Sequence, residues 1–174
     1  ISCVIVRVPS YFVSEGLIGS GKKKAPSGTS CWSYKGQELV YAPYKTRQFN
    51  ILKMFIKEKE MHIITFNRDK DITSKSIIPV EKIKAPILIL SSKNDSVWPS
   101  YESGIYIEKK LEESGFPYQY KHVVYENMSH ALITKLPFIY KMAFRAERTN
   151  AKACALDREN MKKELLDWVN RVWK

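Results

Sequence analysis

The chain has 174 residues, 44% apolar and 27% charged, the balance of a folded domain and not of a disordered tail. Seven glycines and eight prolines exclude collagen-like and Pro/Gly-rich low-complexity chains, and no apolar run approaches the ~20 residues that span a bilayer. A net charge of +11 favours an anionic partner without choosing among nucleic acid, an anionic lipid surface and a phosphorylated small molecule.

Residues 2–8, SCVIVRV, are rich in β-branched side chains and end at Pro9, which suits a short buried parallel strand. No basic region precedes this run, so it reads as a strand entered part-way through a protein and not as a signal peptide. From Ser10 to about Lys45, glycines and prolines break every pattern, and residues 10–60 read as an irregular or lid-like insertion. Within it, Phe49, Leu52 and Ile56 at helical spacing predict a helix over 46–59. MHIITF at 61–66 is strand-like, and 67–76 is polar.

PILILSS at 86–92 predicts a buried strand, followed by a loop at Asn94-Asp95. Pro99 suits the first turn of a helix over 100–114 that carries Ile105 and Leu111, and Gly115 is placed to end it. QYKHVVY at 119–125 predicts the next strand. A last helix over 157–173 carries Met161, Leu165, Val169 and Trp173 at every fourth position. Alternating strands and helices imply an α/β fold, one domain over 1–174 with a parallel sheet and helices on its faces.

Cys3, Cys31 and Cys154 are odd in number and scattered, with no CxxC, so a zinc site, a redox motif and a disulfide framework all lose support. A reducing, intracellular setting is the simpler reading, and neither metal nor cofactor is expected. Residues 16–22, GLIGSGK, match most of a phosphate-binding P-loop, but Lys23 stands where Ser or Thr would hold magnesium. Pro26 also argues against the helix that should follow. Lys22-Lys23-Lys24 is the sole basic triplet, and neither a zinc finger nor an aromatic RNA-binding signature accompanies it, so nucleic acid is not the expected partner.

The strongest pair is Asp95 and His130. Each lies just beyond a predicted strand, and in an open parallel sheet the carboxyl ends of neighbouring strands face one crevice. There a carboxylate can fix an imidazole's tautomer and stabilise the imidazolium. An Asp in a turn is also an ordinary local hydrogen-bond acceptor, and a lone His is more often structural than catalytic. His62 and His122 sit inside strand patterns and read as structural.

Residues 78–100, IPVEKIKAPILILSSKNDSVWPS, resemble the C-terminal α/β-hydrolase domain of the acyl-CoA thioesterase and bile acid-CoA:amino acid N-acyltransferase family. That family's pattern is IPVE, a spacer, a strand, then a catalytic Asp three residues before a Trp, here Asp95 and Trp98. YENMSHAL at 125–132 is similar to its His segment, with Ser129 where Gly is usual. The resemblance implies that Asp95 orients His130 as general base and then acid, and that a Ser or Cys nucleophile attacks an acyl-CoA thioester. Water or an amine would then take the acyl group.

Hydrolases of this fold carry the nucleophile on a G-x-S-x-G elbow, and neither G-x-S-x-G nor G-x-C-x-G occurs in this sequence. Ser10, Ser20 and Cys31 are poor substitutes. The nucleophile is therefore expected upstream of residue 1, and the chain alone is expected to be inactive. Trp98 is expected as core or as a wall of the substrate pocket, and Lys22–Lys24 could meet CoA phosphates. Two other readings stay open. One is a non-catalytic remnant that binds a partner or pairs with its own copy through an exposed sheet edge. The other is a general carboxylesterase or dienelactone-hydrolase-like enzyme. Nothing at the C-terminus is a peroxisomal address, so cytoplasm is the default location.

Overall fold

The computed structural model describes residues 2–16, 28–44, 46–47, 64–65 and 72–173. The P-loop-like stretch beyond Gly16, Lys22–Lys24, His62, and most of the helix predicted over 46–59 and the strand over 61–66 lie outside these residues.

Three parallel strands carry the fold. β1 (Val4–Arg7) pairs with β6 (Ile87–Ser92), and β6 pairs with β7 (Tyr120–Tyr125), giving the order β1-β6-β7. The registers run Val4 to Ile87 and Ile87 to Tyr120. β6 is central and every one of its residues is buried. Its side chains alternate between two cores: Ile87 and Ile89 face one, Leu88 and Leu90 the other. A strand covered on both faces reads as an unbroken apolar run, which is why 86–92 stood out in the sequence.

Helix α1 (Ser100–Glu113) covers the first face with Ile107 and Leu111, joined by Tyr11, Phe12, Ala42 and Val80. Its C-terminus closes with Gly115 at φ +60°, the Gly115 N–H bonded to Glu112 O and the Phe116 N–H to Leu111 O. Glycine meets this left-handed position without strain. Helix α4 (Ala151–Val172) covers the second face with Met161 and Trp168 against Leu88, Leu90, Tyr125, Met128 and Leu132.

Several expectations are corrected. The strand predicted over 2–8 is Val4–Arg7, because Val8 turns to φ +45° and leaves the extended region. The last helix begins at Ala151, six residues before the predicted start. Its inward stripe runs through buried Cys154, Arg158, Met161 and Trp168 and partly buried Leu165 and Val172, with alternating steps of four and three. A strict step of four drifts round a helix of 3.6 residues per turn. Trp173 therefore ends up 64% exposed instead of packed. Ile105 is likewise exposed, because Ser103, Gly104, Ile107 and Leu111 form the inner face of α1.

The long irregular stretch holds some structure. β2 (Ser33–Tyr34) and β3 (Gln37–Glu38) form an antiparallel hairpin. Its central residues Lys35 and Gly36 both have positive φ, as the tight type I′ hairpin turn requires. Tyr11, Phe12, Val13 and Ala42 from the same stretch are buried. β4 (Thr46–Arg47) pairs antiparallel with β5 (Ile64–Thr65), so the first two residues of the predicted helix are extended instead. Two short helices, α2 (Phe138–Ala143) and α3 (Arg145–Thr149), lie between the His130 loop and α4 and had no counterpart in the sequence reading.

Candidate active site

The carboxyl ends of β1, β6 and β7 converge, and each contributes to one cluster. After β6 the chain turns at 93–99, and Asp95 is buried there. Its Oδ1 accepts from the Val97 N–H at 2.9 Å and the Trp98 N–H at 3.3 Å, the local turn that Asp makes readily. After β7, His130 brings Nδ1 to 2.9 Å from Asp95 Oδ2 and 3.0 Å from Oδ1. A carboxylate there only accepts, so this geometry assigns the proton to Nδ1. The His130 side chain is 22% exposed, and Nε2 takes no hydrogen bond among the described residues. An imidazole held in this way can take a proton at Nε2 and return it.

Trp98 completes the cluster. Its ring meets the His130 ring edge-on, with centroids 4.6 Å apart at 80°. Its Nε1–H donates to Val8 O at 3.0 Å, tying the end of β1 to the Asp95 turn. One side chain thus spans the loops after β1, β6 and β7. The loops after β6 and β7 are stitched together as well. Asn94 Nδ2 donates to Glu126 O, Ser92 Oγ donates to Met128 O, and Lys93 pairs with Glu126 at 2.7 Å.

The His130 loop rests on charged side chains that the sequence reading missed. Glu147 Oε1 accepts from Ser129 Oγ at 3.0 Å, from Ser129 N at 3.3 Å and from Arg158 Nη2 at 3.0 Å. Arg158 also donates to Ile133 O at 3.0 Å and to Cys154 O at 3.1 Å. Asp157 accepts from both the backbone and side-chain nitrogens of Asn127. Carbonyls and hydroxyls on both sides of His130 are thus held from α3 and α4. One sign was visible in the sequence: an arginine on the apolar stripe of a helix needs a buried partner.

The substitute nucleophiles are placed elsewhere. Ser10 Oγ donates to Phe12 O at 2.8 Å, and Cys31 is an exposed free thiol on the hairpin side. Ser20 lies outside the described residues. His122 is buried under α1, where Nε2 is 2.7 Å from Ser91 Oγ and Nδ1 3.2 Å from Glu108 Oε2. Ser91 is fully buried in mid-strand, out of reach of any substrate, so this trio holds α1 on the sheet. Among the described residues no group of three or more His, Cys, Asp or Glu could hold a metal ion, and no helix is long and apolar enough to cross a membrane.

The family model described as BAAT / Acyl-CoA thioester hydrolase C terminal matches residues 26–149, a span that contains Asp95, Trp98 and His130. The chain belongs to that family. No curated protein and no solved structure matches it. β6, α1, β7 and the His130 loop all lie inside the matched span of the acyl-CoA thioester hydrolase C-terminal family, whereas β1 and α4 flank it. Ser129, where the family usually has Gly, donates its hydroxyl to Glu147 and accepts from the Ala131 N–H at 3.2 Å.

Proposed function

We propose that His130 is the general base and then the general acid of acyl transfer from a CoA thioester, and that Asp95 is the carboxylate that orients it. The observation that carries this reading is the 2.9 Å contact between His130 Nδ1 and Asp95 Oδ2 at the carboxyl ends of adjacent parallel strands, inside the span matched to the family. A Ser or Cys nucleophile attacks the thioester carbonyl while His130 Nε2 takes its proton. His130 then gives that proton to the departing CoA sulfur, leaving an acyl-enzyme and free thiol. Water or an amine next attacks the acyl-enzyme, losing its proton to Nε2, and the nucleophile recovers its proton from His130. Asp95 keeps the ring oriented throughout. The nucleophile is supplied by a segment outside these 174 residues, on the elbow the fold requires.

The test is thiol release from acyl-CoA by the chain alone and by the chain extended upstream through an elbow sequence. The chain alone should stay at the buffer rate. The extended protein should turn over, and His130→Ala should lower kcat by roughly 10³-fold or more. Turnover that survives His130→Ala would refute the assignment. Turnover by the chain alone that His130→Ala abolishes would place the nucleophile within it.

A second reading rests on β1, which is paired on one side only among the described residues. Its free edge suits strand addition by a partner or a second copy. An inactive extended protein that forms dimers, lost on introducing Pro at Ile5, would favour that reading.

A further inference from the structure

Helix α2 buries none of its six residues. Phe138 is 75% exposed, Ile139 71%, and Tyr140 and Met142 are exposed as well. At 3.6 residues per turn, Phe138, Met142 and Ile139 fall within one arc of about 100°. Tyr140 lies outside that arc and stacks on the buried Phe144 ring, 6.2 Å away and 22° from parallel, which ties α2 to the body of the domain. Single exposed apolar side chains are ordinary, but three neighbours on one projecting helix mark an interaction surface. Cations accompany them. Residues 134–152 hold Lys135, Lys141, Arg145, Arg148 and Lys152 against a single acid, Glu147. Glu147 is buried and bonded to Arg158 and Ser129, so its charge is turned away from solvent. Lys135, Lys141 and Lys152 are exposed.

We propose that α2 docks the protein on an anionic lipid surface, with Phe138, Ile139 and Met142 entering the boundary between headgroups and acyl chains. Lys135, Lys141 and Lys152 meet the lipid phosphates. An apolar arc accompanied by cations settles in such an interface because buried apolar area and attraction to anionic headgroups add. Tyr140, an apolar ring with a polar hydroxyl, suits the headgroup level beside the arc. The net charge of +11 draws the whole chain toward an anionic surface, and the arc fixes the side that makes contact. A protein partner fits less well. Three side chains are too few to fill the roughly 800 Å² that each partner buries in a stable interface, and lysine is depleted from such interfaces. A projecting helix needs a complementary groove on a protein, whereas a bilayer deforms around it. This contact is separate from the chemistry of Asp95 and His130, and it holds whether or not that pair transfers acyl groups.

The experiment is co-sedimentation of the 174-residue chain with vesicles of phosphatidylcholine alone and of equal parts phosphatidylcholine and phosphatidylserine. The chain should bind the mixed vesicles and leave the neutral ones, and added salt should weaken the binding by screening. Phe138→Gln and Ile139→Gln should each weaken it about tenfold or more, the effect of withdrawing one large apolar side chain from the membrane. Lys141→Gln should weaken it about fivefold. Leu166→Gln, on the exposed side of α4, should leave it unchanged. Phe138, Ile139 and Leu166 are all exposed and none of their substitutions alters charge, so fold and net charge stay constant across that comparison. Binding that survives Phe138→Gln combined with Ile139→Gln overturns the proposal, since net charge alone would then hold the chain. An equal loss in Leu166→Gln overturns it too. So does a chain that ignores the mixed vesicles and sediments as a dimer split by Ile139→Gln, which would assign the face to a second copy.

Discussion

Asp95 is buried, and its Oδ1 serves three donors: the N–H groups of Val97 and Trp98, and His130 Nδ1. A carboxyl group so far from water is tolerable only with its acceptor sites filled. Asp95→Asn keeps the shape but faces the imidazole with an amide that can donate, which favours the opposite tautomer. In ¹⁵N–¹H spectra of the histidine side chains, the His130 signal should move from a protonated Nδ1 to a protonated Nε2. An Nδ1–H signal that persists in the variant would contradict the role given to Asp95. This pair was legible in the sequence because strand-end positions could be counted from the apolar run at 86–92 and the aromatic and β-branched segment at 119–125. Glu147 and Arg158 were not, since a charged residue on a helix ordinarily faces water. Only their pairing across separate helices removes them from it.

At the scale of elements, α1 holds a glycine in its middle for a reason of space. A Cβ on Gly104 would lie 2.4 Å from His122 Nε2, and that ring is fixed by Ser91 on one side and Glu108 on the other. Gly104→Ala should therefore destabilise the chain by about 1–3 kcal/mol in urea unfolding, although alanine at an open helix site would gain roughly 1 kcal/mol. In the His122→Ala background the sign should reverse, and a penalty that persists there would place the strain elsewhere. The charged pair of α3 and α4 gives a second expectation. Arg158→Met strands the Glu147 carboxylate in the interior, with an expected loss of about 3–5 kcal/mol. Glu147→Met with Arg158→Met should lose less, and equal losses would mean the pair is not coupled.

The elements differed in how visible they were. β6 was marked by contiguous apolar residues, β7 by its aromatic and β-branched residues, and α1 by Pro99 and Gly115 at its ends. α2 has no inward face, so its apolar residues show no period. The first turns of α4 expose Leu156 and bury Cys154 and Arg158, which hides the stripe. Of the helix expected over 46–59, the described residues Thr46–Arg47 are extended against Ile64–Thr65, while Phe49, Leu52 and Ile56 lie outside the described residues.

Across the whole molecule, two cores on opposite faces of one sheet make stability depend on groups that must stay uncharged. Burial, with Glu147 adding, pushes the Cys154 thiol from its ordinary 9.0 up to about 12, and burial together with Glu164 and Asp157 raises the Tyr125 hydroxyl as well. Both folded values lie above the unfolded ones. Stability is therefore complete below about 9 and falls as pH rises from there toward 12, where the unfolded thiol has ionised and the folded one has not. The urea midpoint should hold steady from neutral pH to about 9 and then decline, less steeply in Cys154→Ala. A midpoint that climbs above that pH would reverse the sign of this linkage. The end of β1 carries a different tension. Val8 sits at φ +45°, a region that disfavours a β-branched residue by more than the roughly 1–2 kcal/mol an ordinary side chain loses there. Its carbonyl accepts from the Trp98 Nε1–H, and the residue lines an open trough beside His130. Glycine at this position would relax the backbone and remove the wall in the same stroke. Thermostability and the shape of the space beside His130 thus pull against each other at one torsion angle, and a screen that rewards only heat resistance would reshape that space first.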